Sequence, residues 1–157
     1  MSSLDTEIAD FLTRYRDCWA RGDYDGVMAL WDTNEANPIY VAEEADACIG
    51  CDAMRKYFDG NRKVLARTAI RTWGLQTRQP AAGLAIAFYE MQWNAKLAAS
   101  AGGQIMGGFN RVSGMLRRKP EGWRMFHYVE APLAAPVYVR RMAGYVVDAD
   151  FRAANKD

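Results

Sequence analysis

The only histidine of the chain, His127, lies in Gly122-Trp123-Arg124-Met125-Phe126-His127-Tyr128-Val129-Glu130, where apolar and polar residues alternate. An imidazole titrates near neutral pH, so on a half-buried strand face it can act as a general acid or base, or pair with a bound anion. Unbroken alternation predicts that Trp123, Met125, His127 and Val129 share one side of the strand. The alternative is a structural imidazole bonded to a neighbouring strand or aromatic hydroxyl. Five bulky aromatics, Tyr15, Trp31, Tyr40, Trp73 and Trp93, fall on predicted inward faces, where they are either core filler or the walls of a small-molecule pocket. Arg111 has two readings as well. Pointing inward, its guanidinium needs a partner and can hold a ligand carboxylate bidentately; at a strand edge it is simply solvated.

Cys48-Ile49-Gly50-Cys51 is a CxxC, but a structural zinc needs further ligands that one other cysteine and one distant histidine do not supply. The start of a helix at Cys51 could lower its thiol pKa for redox work. The plainer reading is two small residues in a turn. Gly102-Gly103 and Gly107-Gly108 lack the Walker lysine or GxGxxG spacing of a phosphate cradle and read as turn or bulge positions. No motif asks for a cofactor or a metal.

The elements that must position these residues follow from periodicity. Ile8, Phe11, Leu12, Tyr15, Cys18 and Trp19 recur at helical spacing over about 4–21, with Ser3 as a cap and Gly22 as the stop. Asp23 caps a short second helix carrying Val27, Leu30 and Trp31. Residues 38–41 and 47–49 form a small hairpin, and a third helix spans about 51–65. Four long antiparallel strands are predicted at 67–79, 83–99, 104–118 and 122–130, separated by Pro- and Gly-bearing turns. In the second of them Ala85, Ala87, Tyr89, Met91, Trp93, Ala95 and Leu97 occupy one face. A last helix is expected after Pro136, as an extension over 134–157 of a single domain spanning 1–157.

The formal charge of +1 and the absence of long like-charge runs give no reason to invoke nucleic acid or an anionic membrane. No apolar run approaches the roughly 18 residues of a membrane span, and the start lacks a leader pattern. Three cysteines, an odd number, suit a reducing compartment. The expected protein is soluble and cytoplasmic.

The order of elements over residues 5–133 resembles the nuclear transport factor 2-like superfamily. Arg14-Tyr15-Arg16, Ala20-Arg21-Gly22-Asp23-Tyr24-Asp25-Gly26 and Ala29-Leu30-Trp31 are similar to the opening helices of SnoaL-like and ketosteroid isomerase-like members. Gly50, Ala53, Met54 and Phe58 resemble the entry to the third helix. Arg111-Val112-Ser113 followed by Gly122 to Tyr128 is similar to the closing hairpin of SnoaL-like proteins and of the calcium/calmodulin-dependent kinase association domain. The resemblance implies an α+β fold, a cone-shaped barrel of helices on a strongly curved, mostly antiparallel sheet, with a cavity at the wide end and a homodimer built on the outer sheet face. It also implies that Tyr15 matches the isomerase tyrosine and Arg111 an arginine of the association-domain pocket. The isomerase carboxylates have no match: Asn37 or Ile39 stands at one position and Asn110, Val112 or Gly114 at the other. Nor is there the Asp-Arg-Asp set of epoxide hydrolysis.

Two functions are compatible with this reading. In one, His127 and Tyr15 are catalytic in a cofactor-independent isomerase, dehydratase or cyclase, and Trp31, Tyr40, Trp73, Trp93 and Arg111 bind a small, partly apolar ligand. In the other, the domain binds a metabolite or serves assembly without catalysis.

Overall fold

The helical stripe Ile8, Phe11, Leu12, Tyr15, Cys18 and Trp19 is buried along α1 (Ser3–Arg21) in the computed structural model, which describes residues 2–133 and 153. The cap lies one residue earlier than expected. Ser2 Oγ accepts from the Asp5 N–H at 3.1 Å while the Asp5 carboxylate accepts from the Ser2 N–H at 2.8 Å, a reciprocal capping box. Asp23 caps α2 (Tyr24–Ala29) through the Gly26 N–H at 2.8 Å. The hairpin β1 (Ile39–Val41) and β2 (Cys48–Ile49) leads into α3 (Cys51–Val64), whose buried face carries Met54 and Phe58.

Four long strands follow: β3 (Leu65–Ala81), β4 (Leu84–Leu97), β5 (Ile105–Lys119) and β6 (Gly122–Pro132). They belong to one six-stranded sheet in the order β2-β1-β6-β5-β4-β3. Every pairing is antiparallel except β1 with β6. The curved sheet stays open rather than closing into a barrel, and the helices pack on its concave side. The helix expected after Pro136 falls in 134–157, outside the described residues but for 153.

Two breaks in register decide which residues face the helices. In β3, Thr72 opposes inward Met91 and Trp73 opposes Glu90, after which the ladder slips before Gln76 meets Phe88. Gly74 sits in the slip with φ +66°, a left-handed conformation that suits a residue without Cβ. In β6, Met115 pairs with His127 but Leu116 pairs with Met125, leaving Phe126 as the extra residue of a bulge. Its cause is a change of neighbour along the strand's other edge. Met125 exchanges backbone hydrogen bonds with Leu30 and Asp32 at 2.9 and 2.7 Å, whereas His127 to Val129 pair with β1. Phe126 occupies the changeover, and the Arg117 guanidinium lies 4.6 Å from its ring centroid.

The bulge corrects the expected alternation. Trp123 and Met125 are buried, but beyond Phe126 it is Tyr128 and Glu130 that turn to the concave side in place of His127 and Val129. Tyr128, which unbroken alternation would place opposite His127 on the outer face, is instead buried with no exposed surface.

An ion cluster built around one buried carboxylate, with half-buried partners, ties the segment after α2 to the β5–β6 hairpin. Asp32, 2% exposed, accepts from Arg117 at 2.6 Å and from Lys119 at 3.0 Å, and Glu35 also meets Arg117 at 3.0 Å. Burial pushes the Asp32 carboxyl up, but the hydrogen bonds from Arg117 and Lys119 outweigh it and hold the group below its ordinary range.

Candidate active site in the aromatic cavity

Between α1, α3 and the inner sheet face lies a cavity of about 220 Å³. It is smaller than typical drug-sized sites of ~300–1,000 Å³, so it suits a compact ligand. Tyr15 and Trp19 come from α1, Tyr40 from β1, Tyr57 from α3, and Met91 and Trp93 from β4. Apolar Leu65, Ile70, Ala95 and Leu97 complete much of the wall. The exposed lining residues Val64, Met106 and Glu44 mark the opening.

Glu130 is the chemically distinctive group in this wall. Its Oε1 accepts from the Tyr128 hydroxyl at 2.7 Å; its Oε2 accepts from Asn110 Nδ2 at 2.7 Å and from the Glu43 backbone N–H at 3.3 Å. Burial pushes its carboxyl up to about 7; the Tyr128 and Glu43 hydrogen bonds oppose the rise, and the charges of Glu44 and Glu43 add to it. Such a group changes protonation state near neutral pH, as a general acid or base must. Around it, Tyr15, Tyr40 and Tyr128 have phenols held well above their ordinary range, first by burial. They remain neutral O–H donors. Tyr128 stacks on Tyr40 with ring centroids 5.1 Å apart and stands 6.0 Å from Tyr15.

The sequence-derived candidates divide cleanly. Tyr15, Tyr40 and Trp93 line the cavity. Trp31 is 2% exposed but packs behind Tyr40, with ring centroids 5.9 Å apart, and borders a separate polar hollow next to Asp32. Trp73 is on the outer face, where its indole N–H meets Glu90 and its ring meets Phe109 edge-on at 6.3 Å. Arg111 is exposed and donates to the Pro132 carbonyl at 3.4 Å. His127 is half-buried and absent from the cavity wall, because the Phe126 bulge shifts the inward phase to Tyr128 and Glu130. The ligand-carboxylate anchor expected of Arg111 is thus on the wrong side of the sheet. Charged side chains in the described cavity wall are Glu44 and Glu130 alone. All three cysteines are free thiols; burial pushes Cys18 and Cys48 up, the direction of an inert thiol.

Glu130 was missed because strict period two places it outside. Its only sequence signal lies on the partner strand, where Asn110, Val112, Gly114 and Leu116 form the inward set that fixes the register of β6.

The SnoaL-like domain profile matches residues 8–135. The chain belongs to the SnoaL-like family. No curated protein matches it. Among solved structures, this SnoaL-like domain is similar to a protein assigned as an NTF2-like-family dehydratase from Streptomyces avermitilis, with TM-score 0.73 and 13% identity over 85% of this chain and 100% of that one. It is similar to a type 2 hexachlorocyclohexane dehydrochlorinase, LinA, with TM-score 0.66 and 13% identity over 85% and 95% of the two chains. A protein assigned as a calcium/calmodulin-dependent kinase II association domain from Xanthomonas campestris gives TM-score 0.67 and 10% identity over 81% and 86%. At such identities the likeness is one of fold.

Proposed function

We propose that this SnoaL-like domain is a cofactor-independent acid–base enzyme, an isomerase or dehydratase acting on a compact, uncharged and largely apolar carbonyl compound. The observation that carries the reading is Glu130, a cavity-wall carboxyl whose burial places its titration at about 7. In its ionised form Glu130 takes a proton from carbon next to the carbonyl; the protonated form returns it to another carbon or to a departing hydroxyl. Tyr15, with its neutral phenol in the same wall, donates a hydrogen bond to the oxygen on which charge develops. Tyr40 and Trp93 bind the apolar body. An anionic substrate is disfavoured by Glu130 and Glu44, which have no cation beside them in the described wall. Fold relatives include proteins assigned to elimination chemistry, which fits this class without fixing a substrate.

The test is hydrogen–deuterium exchange at the α-carbon of cyclohexanone and acetophenone in D2O, followed by proton NMR. The wild type accelerates exchange above buffer and Glu130→Gln loses the acceleration by about a hundredfold or more. Equal rates for the two proteins would leave a binding or assembly role for the domain instead.

The outer sheet face is the proposed meeting surface of a homodimer. Trp73, Phe88 and Phe109 are 42%, 42% and 51% exposed, a density of large apolar side chains that suits a protein–protein interface.

A further inference from the structure

The two oxygens of Glu130 meet different kinds of partner. Oε2 faces two N–H groups, the Asn110 amide at 2.7 Å and the Glu43 backbone at 3.3 Å, neither of which can accept a hydrogen. Asn110 is 2% exposed, and turning its nitrogen to the carboxyl leaves its own buried Oδ1 without a partner, so the amide is oriented by Oε2. Oε1 instead meets the Tyr128 hydroxyl at 2.7 Å, a group that both donates and accepts. The same hydroxyl has a second acceptor within reach, the Met91 sulfur at 3.7 Å. Three strands bring these groups together. Tyr128 and Glu130 are two residues apart on the inner face of β6, and Met91 on β4 lies opposite Asn110 on β5. Tyr128 has no exposed surface and its ring is stacked on Tyr40, so the ring is fixed while the hydroxyl hydrogen can turn between its two acceptors.

We propose that Tyr128 is the positioning residue for the Glu130 proton: its hydroxyl donates to Oε1 of the ionised acid, and when Oε1 carries the proton it accepts from that oxygen and turns its own hydrogen to the Met91 sulfur. Oε2, bounded by N–H donors, stays an acceptor in both states. The inversion moves hydrogens alone, so the acid and base forms of Glu130 keep one place in the cavity wall. The bond to the ionised form is the stronger of the two because its acceptor is charged. The other ionisable groups facing the pair are Tyr15 from α1, Tyr40 from β1, Tyr89 from β4, and Glu43 and Glu44 in the segment after β1. Burial keeps the phenols neutral, and the two carboxyls disfavour ionisation of Glu130.

This inference rests on Glu130 as the acid–base group, but its test needs no turnover. In full-length protein labelled with carboxyl-13C glutamate, with Glu130→Gln identifying the signal, the NMR titration midpoint of Glu130 is compared among wild type, Tyr128→Phe, Met91→Leu and the double variant. Tyr128→Phe, which keeps the stacked ring, raises the midpoint by about half a unit to one unit, because the ionised form loses its Oε1 donor. Met91→Leu, which nearly keeps the volume, lowers it by about a third of a unit, because the protonated form loses the acceptor for the turned hydroxyl. In the double variant Met91→Leu adds nothing to Tyr128→Phe, since no hydroxyl is left to turn; a packing effect of Met91 would persist there. Met91→Leu serves alone if Tyr128→Phe does not fold. An unchanged midpoint in folded Tyr128→Phe overturns the proposal by placing the proton on Oε2, and a Met91→Leu midpoint that stays or rises overturns the inversion. Midpoints that move as stated without any ketone exchange instead refute the enzymatic reading and leave the role of Tyr128 standing.

Discussion

Glu130 makes acid–base chemistry possible by a placement that works against stability. In the unfolded chain its carboxyl titrates near 4.5, and in the fold burial raises it to about 7. The folded state therefore holds more protons than the unfolded state between those values. The stability associated with this group is fully present below about 4.5 and declines as pH climbs through about 7. Glu130→Gln removes the buried charge, so at pH 8 the variant should be more stable than wild type by about 1–3 kcal/mol in urea unfolding, with the gap closing toward pH 5. A variant less stable than wild type at pH 8 would mean that the hydrogen bonds from Tyr128 and Asn110 outweigh burial. His127 shows the converse lesson. Its residue type advertised proton transfer in the sequence, but chemistry needs direction as well as type, and direction was decided by the preceding residue.

At the scale of elements, β4 was legible and its neighbours only partly so. Ala85 through Leu97 alternate without interruption, and these residues face the helices as the pattern requires. β3 and β6 each contain a bulge, and an inserted residue exchanges the two faces beyond it while leaving local composition unchanged. Trp73 and His127 were consequently assigned inward, and Glu130 outward. No side-chain pattern in β6 encodes the Phe126 bulge; it follows from the meeting of the α2 exit and β1 along one strand edge, a tertiary fact. Asp32 stabilises that junction. Asp32→Ala should lose about 2–4 kcal/mol at pH 7, since it strips the buried partner from Arg117 and Lys119. Because the Asp32 carboxyl titrates below its ordinary 3.8, its contribution is present above that value and disappears as pH falls through the lower folded value. The difference between variant and wild type, measured by chemical denaturation, should shrink below pH 4; a constant gap would assign the loss to packing.

At the scale of the molecule, the helix order, the hairpin and the four long strands were readable because each rests on local periodicity and turn chemistry. The curvature that opens a cavity was implied by family resemblance. The proposed dimer follows from what the sheet leaves uncovered. Phe88→Arg combined with Phe109→Arg places two cations on the outer face, and sedimentation should then report one 17.6 kDa chain where the wild type reports two. A wild type that sediments as one chain would remove the dimer from the account. No helix among the described residues is long and apolar enough to cross a membrane.

The pH dependence of α-carbon exchange in cyclohexanone, compared among wild type, Glu130→Gln and His127→Ala, tests the site most directly. A base inside the cavity with the titration of Glu130 requires a rate that rises with pH to a plateau, with its midpoint at about 7, in both wild type and His127→Ala, and no acceleration in Glu130→Gln. Exchange that persists in Glu130→Gln but vanishes in His127→Ala would contradict the assignment and return the chemistry to the imidazole.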